Sequence, residues 1–123
     1  MKILLSIKPE FANKIFTGEK KFEYRRTIFK KTNIRIVVVY ASSPVSKVIG
    51  EFYIEEVISD KPKIVWELTQ NYSGISKEYF EQYAEEKDII HAIKIGTTKR
   101  YRKQLSLKDD FDIKYAPQSF VYL

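Results

Sequence analysis

A chain of 123 residues with 44% hydrophobic and 15% aromatic residues suits one compact domain with a packed core, which leaves out a disordered polypeptide and a two-domain enzyme. It has no cysteine and one histidine, His91. Disulfides, thiolate zinc sites, cysteine nucleophiles and multi-histidine metal centres are excluded at once, and no metal or cofactor is expected. The net charge of +6 is unevenly spread: residues 1–35 carry a net of +7, residues 48–88 a net of −6 and residues 89–123 a net of +4. If the two ends of the chain meet, the molecule has a basic and an acidic face. A basic face draws in phosphate backbones, although lysine-rich surfaces also simply confer solubility.

Lys2 to Ile7 reads as a short strand, Ile3, Leu5 and Ile7 on one face and Leu4 on the other. Its apolar run is too short for a signal peptide or a membrane span, so a cytoplasmic protein with no membrane partner is expected. Pro9 fits the first turn of a helix, Phe11, Ala12, Ile15 and Phe16 follow at helical spacing, and Gly18 stops it. A strand is expected over Lys20 to Thr27, starting one or two residues into that run. Arg35 to Ala41, with its β-branched run Ile36-Val37-Val38-Val39, reads as a strand buried on both faces.

Lys47 to Ile58 is a long strand in which Gly50 marks a bulge or a close backbone approach. Pro62 opens a helix over Lys63 to Gln70, and Ser76 caps another through Glu86. Ile89 to Gly96 returns to strand, and the basic run Lys99-Arg100-Tyr101-Arg102-Lys103 follows it. Ser106 to Asp112 reads as a polar excursion, and Ala116 to Tyr122 as a turn into a last short strand. Five or six strands with helices between them, and no regular βαβ alternation, indicate the α+β class: a small mixed β-barrel flanked by helices.

The stretch Gly18-Glu19-Lys20-Lys21-Phe22-Glu23-Tyr24-Arg25-Arg26 delivers charges of both signs from a turn onto a strand. If Phe22 and Tyr24 face the core, strand parity turns Glu23 and Arg25 the other way, where the arginine holds the carboxylate ionised. A nearby lysine serves as a phosphate ligand, or as a base if desolvation lowers its pKa. Residue types alone leave a plainer alternative open, an exposed cross-strand ladder of ion pairs worth little energetically. In the second basic run, Arg100 and Arg102 beside Tyr101 suit phosphate contact with base stacking, or else protection of a sheet edge. Ser42 and Ser43, at the end of a buried strand, offer hydroxyls to a phosphate or base edge, or to their own turn. His91 reads as structural, and Trp66 as core or a partner surface.

Gly18 to Arg25 matches the G-x-K-x-x-E-x-R signature of the ASCH domain family. Ile3-Leu4-Leu5-Ser6-Ile7-Lys8-Pro9, Tyr40-Ala41-Ser42-Ser43-Pro44, Val48-Ile49-Gly50-Glu51-Phe52 and Pro117-Gln118-Ser119-Phe120 also resemble family stretches, in order. The chain is most similar to small prokaryotic members described as candidate regulators. The resemblance implies a single PUA-like domain over residues 1–123, a pseudo-barrel with a cleft at its mouth lined by the signature. It implies binding of RNA, other single-stranded nucleic acid or a nucleotide at the signature residues Lys20, Glu23 and Arg25, with Arg26, Ser42 and Ser43 as further candidates beside the Arg100 and Arg102 that residue types suggest. Some members resemble enzymes: one subgroup is an amidohydrolase acting on acetylcytidine, another a ribonuclease. The amidohydrolase's lysine falls on Lys20, but its threonine nucleophile falls on Glu23, so a hydrolase acting on a modified nucleoside such as acetylcytidine, or on RNA, remains the alternative expectation only by a different mechanism. An enzymatic role would instead pair Lys20 and Glu23 as acid and base. A third expectation is a cleft for a small ligand that regulates a partner.

Overall fold

The computed structural model describes residues 1–123. Six strands form one mixed sheet, curled into a half-barrel: β1 (Lys2–Ile7), β2 (Phe22–Arg25), β3 (Ile36–Ala41), β4 (Lys47–Asp60), β5 (Ile90–Leu105) and β6 (Phe120–Tyr122), in the order β2-β5-β4-β3-β1-β6. Only β1 and β3 run parallel. A parallel neighbour cannot be reached by a tight hairpin, so the chain leaves β1, makes α1 (Pro9–Thr17) and β2, and returns at β3. Helices α2 (Pro62–Thr69) and α3 (Lys77–Tyr83) lie between β4 and β5, and α4 (Leu107–Phe111) precedes β6. No helix is long and apolar enough to cross a membrane.

The main core joins Ile3, Leu5 and Ile7 of β1 to Val37 and Val39 of β3, Phe52 of β4, Ile93 of β5 and Ala12 and Ile15 of α1. On the other face Leu4, Val38 and Val48 pack beneath Leu107 of α4, so β1 and β3 are covered on both sides, as their unbroken apolar runs indicate. A third cluster places Phe22 and Tyr24 of β2 against Val65 of α2 and Phe80 and Ala84 of the α3 segment. Seven residues are too few for a helix to persist alone. Burial of Phe80, worth about 2 kcal/mol, and the Ser76 cap, whose Oγ accepts from the Tyr79 N–H at 3.0 Å, hold α3 in place.

Several boundaries differ from the sequence expectation. β2 starts at Phe22, two residues into the expected run, because the N–H of Lys20 turns back to Lys14 O at 3.0 Å and that of Lys21 to Tyr72 O at 2.8 Å, but it ends at Arg25 rather than Thr27. The helix capped by Ser76 ends at Tyr83, short of Glu86, which takes a left-handed φ of 65°. β5 does not stop at Gly96 but runs on to Leu105, Thr98 opposite Phe52 and Arg100 opposite Gly50. The basic run is therefore strand, beyond the reach of β2, which pairs with β5 only over His91 to Lys94. Residues 106–112 hold α4, capped by Ser106 Oγ accepting from the Asp109 N–H at 3.2 Å.

Gly50 sits where the β4–β5 register shifts. A Cβ there would lie 2.5 Å from Phe16 Cζ and 2.6 Å from the Lys99 carbonyl oxygen; a backbone atom of a central strand cannot yield. Gly50→Ala is expected to cost about 2 kcal/mol, a fall of roughly 8 °C in a thermal melt. A melt superimposable on the wild type would show that the sheet relaxes there without cost.

Candidate functional site

Three short segments deliver the site. Thr17 ends α1, Gly18 takes the left-handed φ of 86° that stops it, and the next turn swings Lys20 under the sheet. β2 then places Glu23 opposite Ile93 and Arg25 opposite His91. Glu23 thus shares the inner, main-core face with Ile93, while Phe22 and Tyr24 face α2 and α3. Both faces of β2 are covered, which rules out the exposed ladder: Lys20 is 1% exposed and Glu23 6%.

The charges form a chain. Lys20 Nζ is 3.9 Å from Glu23 Oε1, and Glu23 Oε2 is 3.3 Å from Arg25 Nη1. Lys20 Nζ donates to the Ser73 carbonyl at 2.6 Å and lies over the rings of Tyr24 and Phe11, 4.9 and 5.5 Å from their centroids. Arg25 donates through Nη2 to the Ser119 carbonyl at 2.8 Å and through Nη1 to the Ser6 carbonyl at 3.4 Å. It thereby ties β2, one edge of the sheet, to the turn entering β6, the other edge; Thr27 Oγ1 and Ser119 Oγ add a 3.0 Å bond to the same clasp.

Burial lowers the Lys20 ammonium from its ordinary 10.5 to about 8; Glu23 opposes the fall and Lys14 adds to it. Burial likewise raises Tyr24 to about 12, even though its hydroxyl bonds to Thr69 Oγ1 at 2.7 Å. Thr69 gives its own proton to Val65 O, so Tyr24 is the donor.

Above these charges opens a cleft of about 150 Å³, lined by Ser6, Ile7, Lys8, Phe11, Lys20, Glu23, Tyr24, Arg25, Ile75, Tyr79 and Tyr83. A cavity of that size accepts one six-membered ring. No three His, Asp or Glu side chains converge anywhere on a common point, and the polar side chains lining the cleft are two amines, a carboxylate, a guanidinium, a serine hydroxyl and phenols.

Lys20, Glu23 and Arg25 are brought together. Arg26 stands at the rim, its guanidinium 4.7 Å from the centroid of the Tyr83 ring and its N–H donating to Tyr83 Oη at 3.2 Å. Ser42, Ser43, Arg100 and Arg102 do not line the cleft. The Ser42 N–H donates to Ile7 O at the end of β1 at 3.0 Å and its carbonyl accepts from the Val45 N–H at 3.2 Å in its own turn, and Arg100 lies over Phe16 and donates to Asn13 Oδ1 at 3.3 Å. His91 Nδ1 is 2.6 Å from Ser59 Oγ across the β4–β5 pair, its pKa lowered by burial and by Lys87. Trp66 stacks on Phe80 at 4.9 Å.

Residues from far along the chain complete the site: Ser73, Tyr79, Tyr83 and Ser119. Gly74 has a φ of +71°, and a Cβ on it would meet Lys20 Cβ and Cγ at 2.6 Å. Only glycine lets the loop close over the lysine stem.

The family model for the ASCH domain matches residues 5–99, nearly everything from β1 through most of β5. Large ribosomal subunit protein uL22 of Ureaplasma parvum is 32% identical over 125 residues, 98% of this chain, which spans only 39% of that protein's length. An ASCH domain-containing ribonuclease of Zymomonas mobilis is 30% identical over 82 residues, 67% of this chain and 55% of that one. The crystal structure of ASCH from Zymomonas mobilis superimposes with a TM-score of 0.91 at 26% identity, covering 99% of this chain and 87% of that one. The cleft signature lies inside the matched span and the fold agrees from end to end: the chain belongs to the ASCH domain family.

Proposed function

We propose that this ASCH domain binds single-stranded RNA and seats one nucleotide in the cleft. The observation that carries the reading is the buried Lys20–Glu23–Arg25 chain at the floor of an aromatic-walled cleft sized for one ring. Aromatic walls accept a base of any sequence by stacking, while Lys8, Arg25 and the rim Arg26 meet phosphate or carbonyl oxygens. Glu23 accepts from a base amine or holds Arg25. The C-terminal strand lies against the basic N-terminal segment, where the Leu123 N–H bonds to Lys2 O, whereas the Lys99–Lys103 run lies away from β2. A relative named as a ribonuclease supports RNA as the partner.

Binding of a labelled single-stranded RNA is expected to weaken steeply with salt. Arg25→Ala should cost about tenfold or more, as loss of a charged hydrogen bond does, against little change for Lys77→Ala, whose exposed ammonium faces Glu81. Absence of binding at low salt would sink the proposal.

A second reading, cleavage of the bound RNA, is favoured by the lowered pKa of Lys20. With a pKa of about 8, about a tenth of the amine is neutral at pH 7 and can take a ribose 2′-hydroxyl proton. The alkoxide attacks the neighbouring phosphorus and the P–O5′ bond breaks, the 5′-oxygen taking a proton from water while Lys20 releases the one it gained, leaving a 2′,3′-cyclic phosphate. Arg25 would neutralise the charge gathering on phosphorus, and Glu23 would fix both cations. Labelled RNA unchanged at high protein concentration, or cleaved as fast by Lys20→Ala, would reject it.

A further inference from the structure

Beside the cleft lies a second hollow, a polar groove of about 400 Å³ between α1 and the loop over residues 70–76. Its walls include Glu10, Lys14, Gln70, Asn71 and Ser76. The two hollows share Phe11, Ile75 and Tyr79 as a common wall, a ridge in which the Phe11 and Tyr79 rings meet edge to face at 5.2 Å. An ammonium stands on each side of it. Lys8, 5.1 Å from the Tyr79 centroid, lines the cleft; Lys14, whose Nζ is 3.2 Å from Gly74 O, lines the groove.

We infer that the groove between α1 and the Gln70–Ser76 loop is a second subsite for the RNA strand, taking the nucleotide next to the one in the cleft. The inference rests on the RNA-binding reading above and extends it from one nucleotide to two. The cleft is too small for two stacked bases, so the strand must leave it, and the ridge is the wall it shares with another cavity. Glu10 makes the groove itself a poor seat for an anion. The phosphodiester therefore crosses the ridge between Lys8 and Lys14, and the base enters the groove. There the carboxamides of Gln70 and Asn71, both exposed, offer the paired donor and acceptor that read a base edge. The larger volume admits a purine.

The test compares mononucleotides with the dinucleotides that join them, carrying a 2′-O-methyl group to prevent turnover, by calorimetry at about 50 mM salt. The dinucleotide is expected to bind about tenfold tighter than either mononucleotide, as one added stacked base requires. Gln70→Ala/Asn71→Ala, and separately Lys14→Ala, should each pull that ratio toward one, with thermal melts confirming that the variants fold. A mononucleotide that binds as tightly as the dinucleotide, or a ratio that both variants leave intact, overturns the second subsite alone. No binding of either ligand overturns the RNA reading along with it.

Discussion

Glu23→Gln is expected to lower stability at pH 7 by about 2 kcal/mol, and adding Lys20→Met is expected to return at least half of that loss. The carboxylate stands between two cations and opposes the fall in the Lys20 pKa. Its neutral isostere keeps the shape and removes the charge, leaving a buried ammonium supported by a carbonyl and two ring faces. The lysine then sheds its proton. From a starting pKa of about 8, that release at pH 7 costs about 1.4 kcal/mol, and the rest comes from Arg25 losing its partner. The melting temperature should fall by roughly 8 °C. Above pH 8 the wild-type lysine is itself losing its proton, so the penalty should shrink. A penalty that is unchanged at pH 9 and unrelieved by Lys20→Met would mean that Glu23 acts through packing alone.

The same lysine gives the protein a pH dependence of unusual sign. Its folded pKa of about 8 lies below its ordinary 10.5, so between those values the unfolded chain binds the extra proton and stability rises with pH. A lysine that gains a salt bridge on folding behaves in the opposite way. Tyr24 works against this only above pH 10, where an unfolded tyrosine ionises and the buried one holds its proton to about 12. The wild type should therefore gain stability relative to Lys20→Met between pH 7 and 9.5, read from urea midpoints. The functional readouts split on the same group. If the ammonium binds phosphate, RNA affinity falls as pH passes 8; if the free amine is a base, single-turnover cleavage climbs toward a plateau above 8. Profiles that ignore pH 8 in stability, binding and cleavage alike would remove Lys20 from the mechanism.

The elements around the site were legible because they carry local signals: Pro9 and Gly18 bracket α1, and the β-branched run marks β3. The signature placed Lys20, Glu23 and Arg25 in one neighbourhood. Their burial was not legible, since strand parity allots β2 one inner face, and the second cover comes from Val65 and Phe80, more than forty residues away. Ser73 and Ser119 enter through backbone carbonyls, which no side-chain pattern announces. The extension of β5 was obscured because residues 99–103 are charged or aromatic on both faces once the strand leaves the core. The helix at 107–111 did carry a signal, the Ser106-Leu107-Lys108-Asp109 cap, overshadowed by its polar composition.

The parallel pairing of β1 and β3 has one more consequence. These strands are neighbours, so everything between them, residues 8–35, is a single excursion that leaves β1, forms the edge strand β2 on the far side of the sheet and returns to β3. That excursion lays down α1, the Gly18 turn, Lys20, Glu23, Arg25 and Arg26 in one uninterrupted stretch. The charged groups of the cleft floor thus come from one cassette, while the groups that cover and clasp them, Ser73, Tyr79, Tyr83 and Ser119, come from elsewhere in the chain.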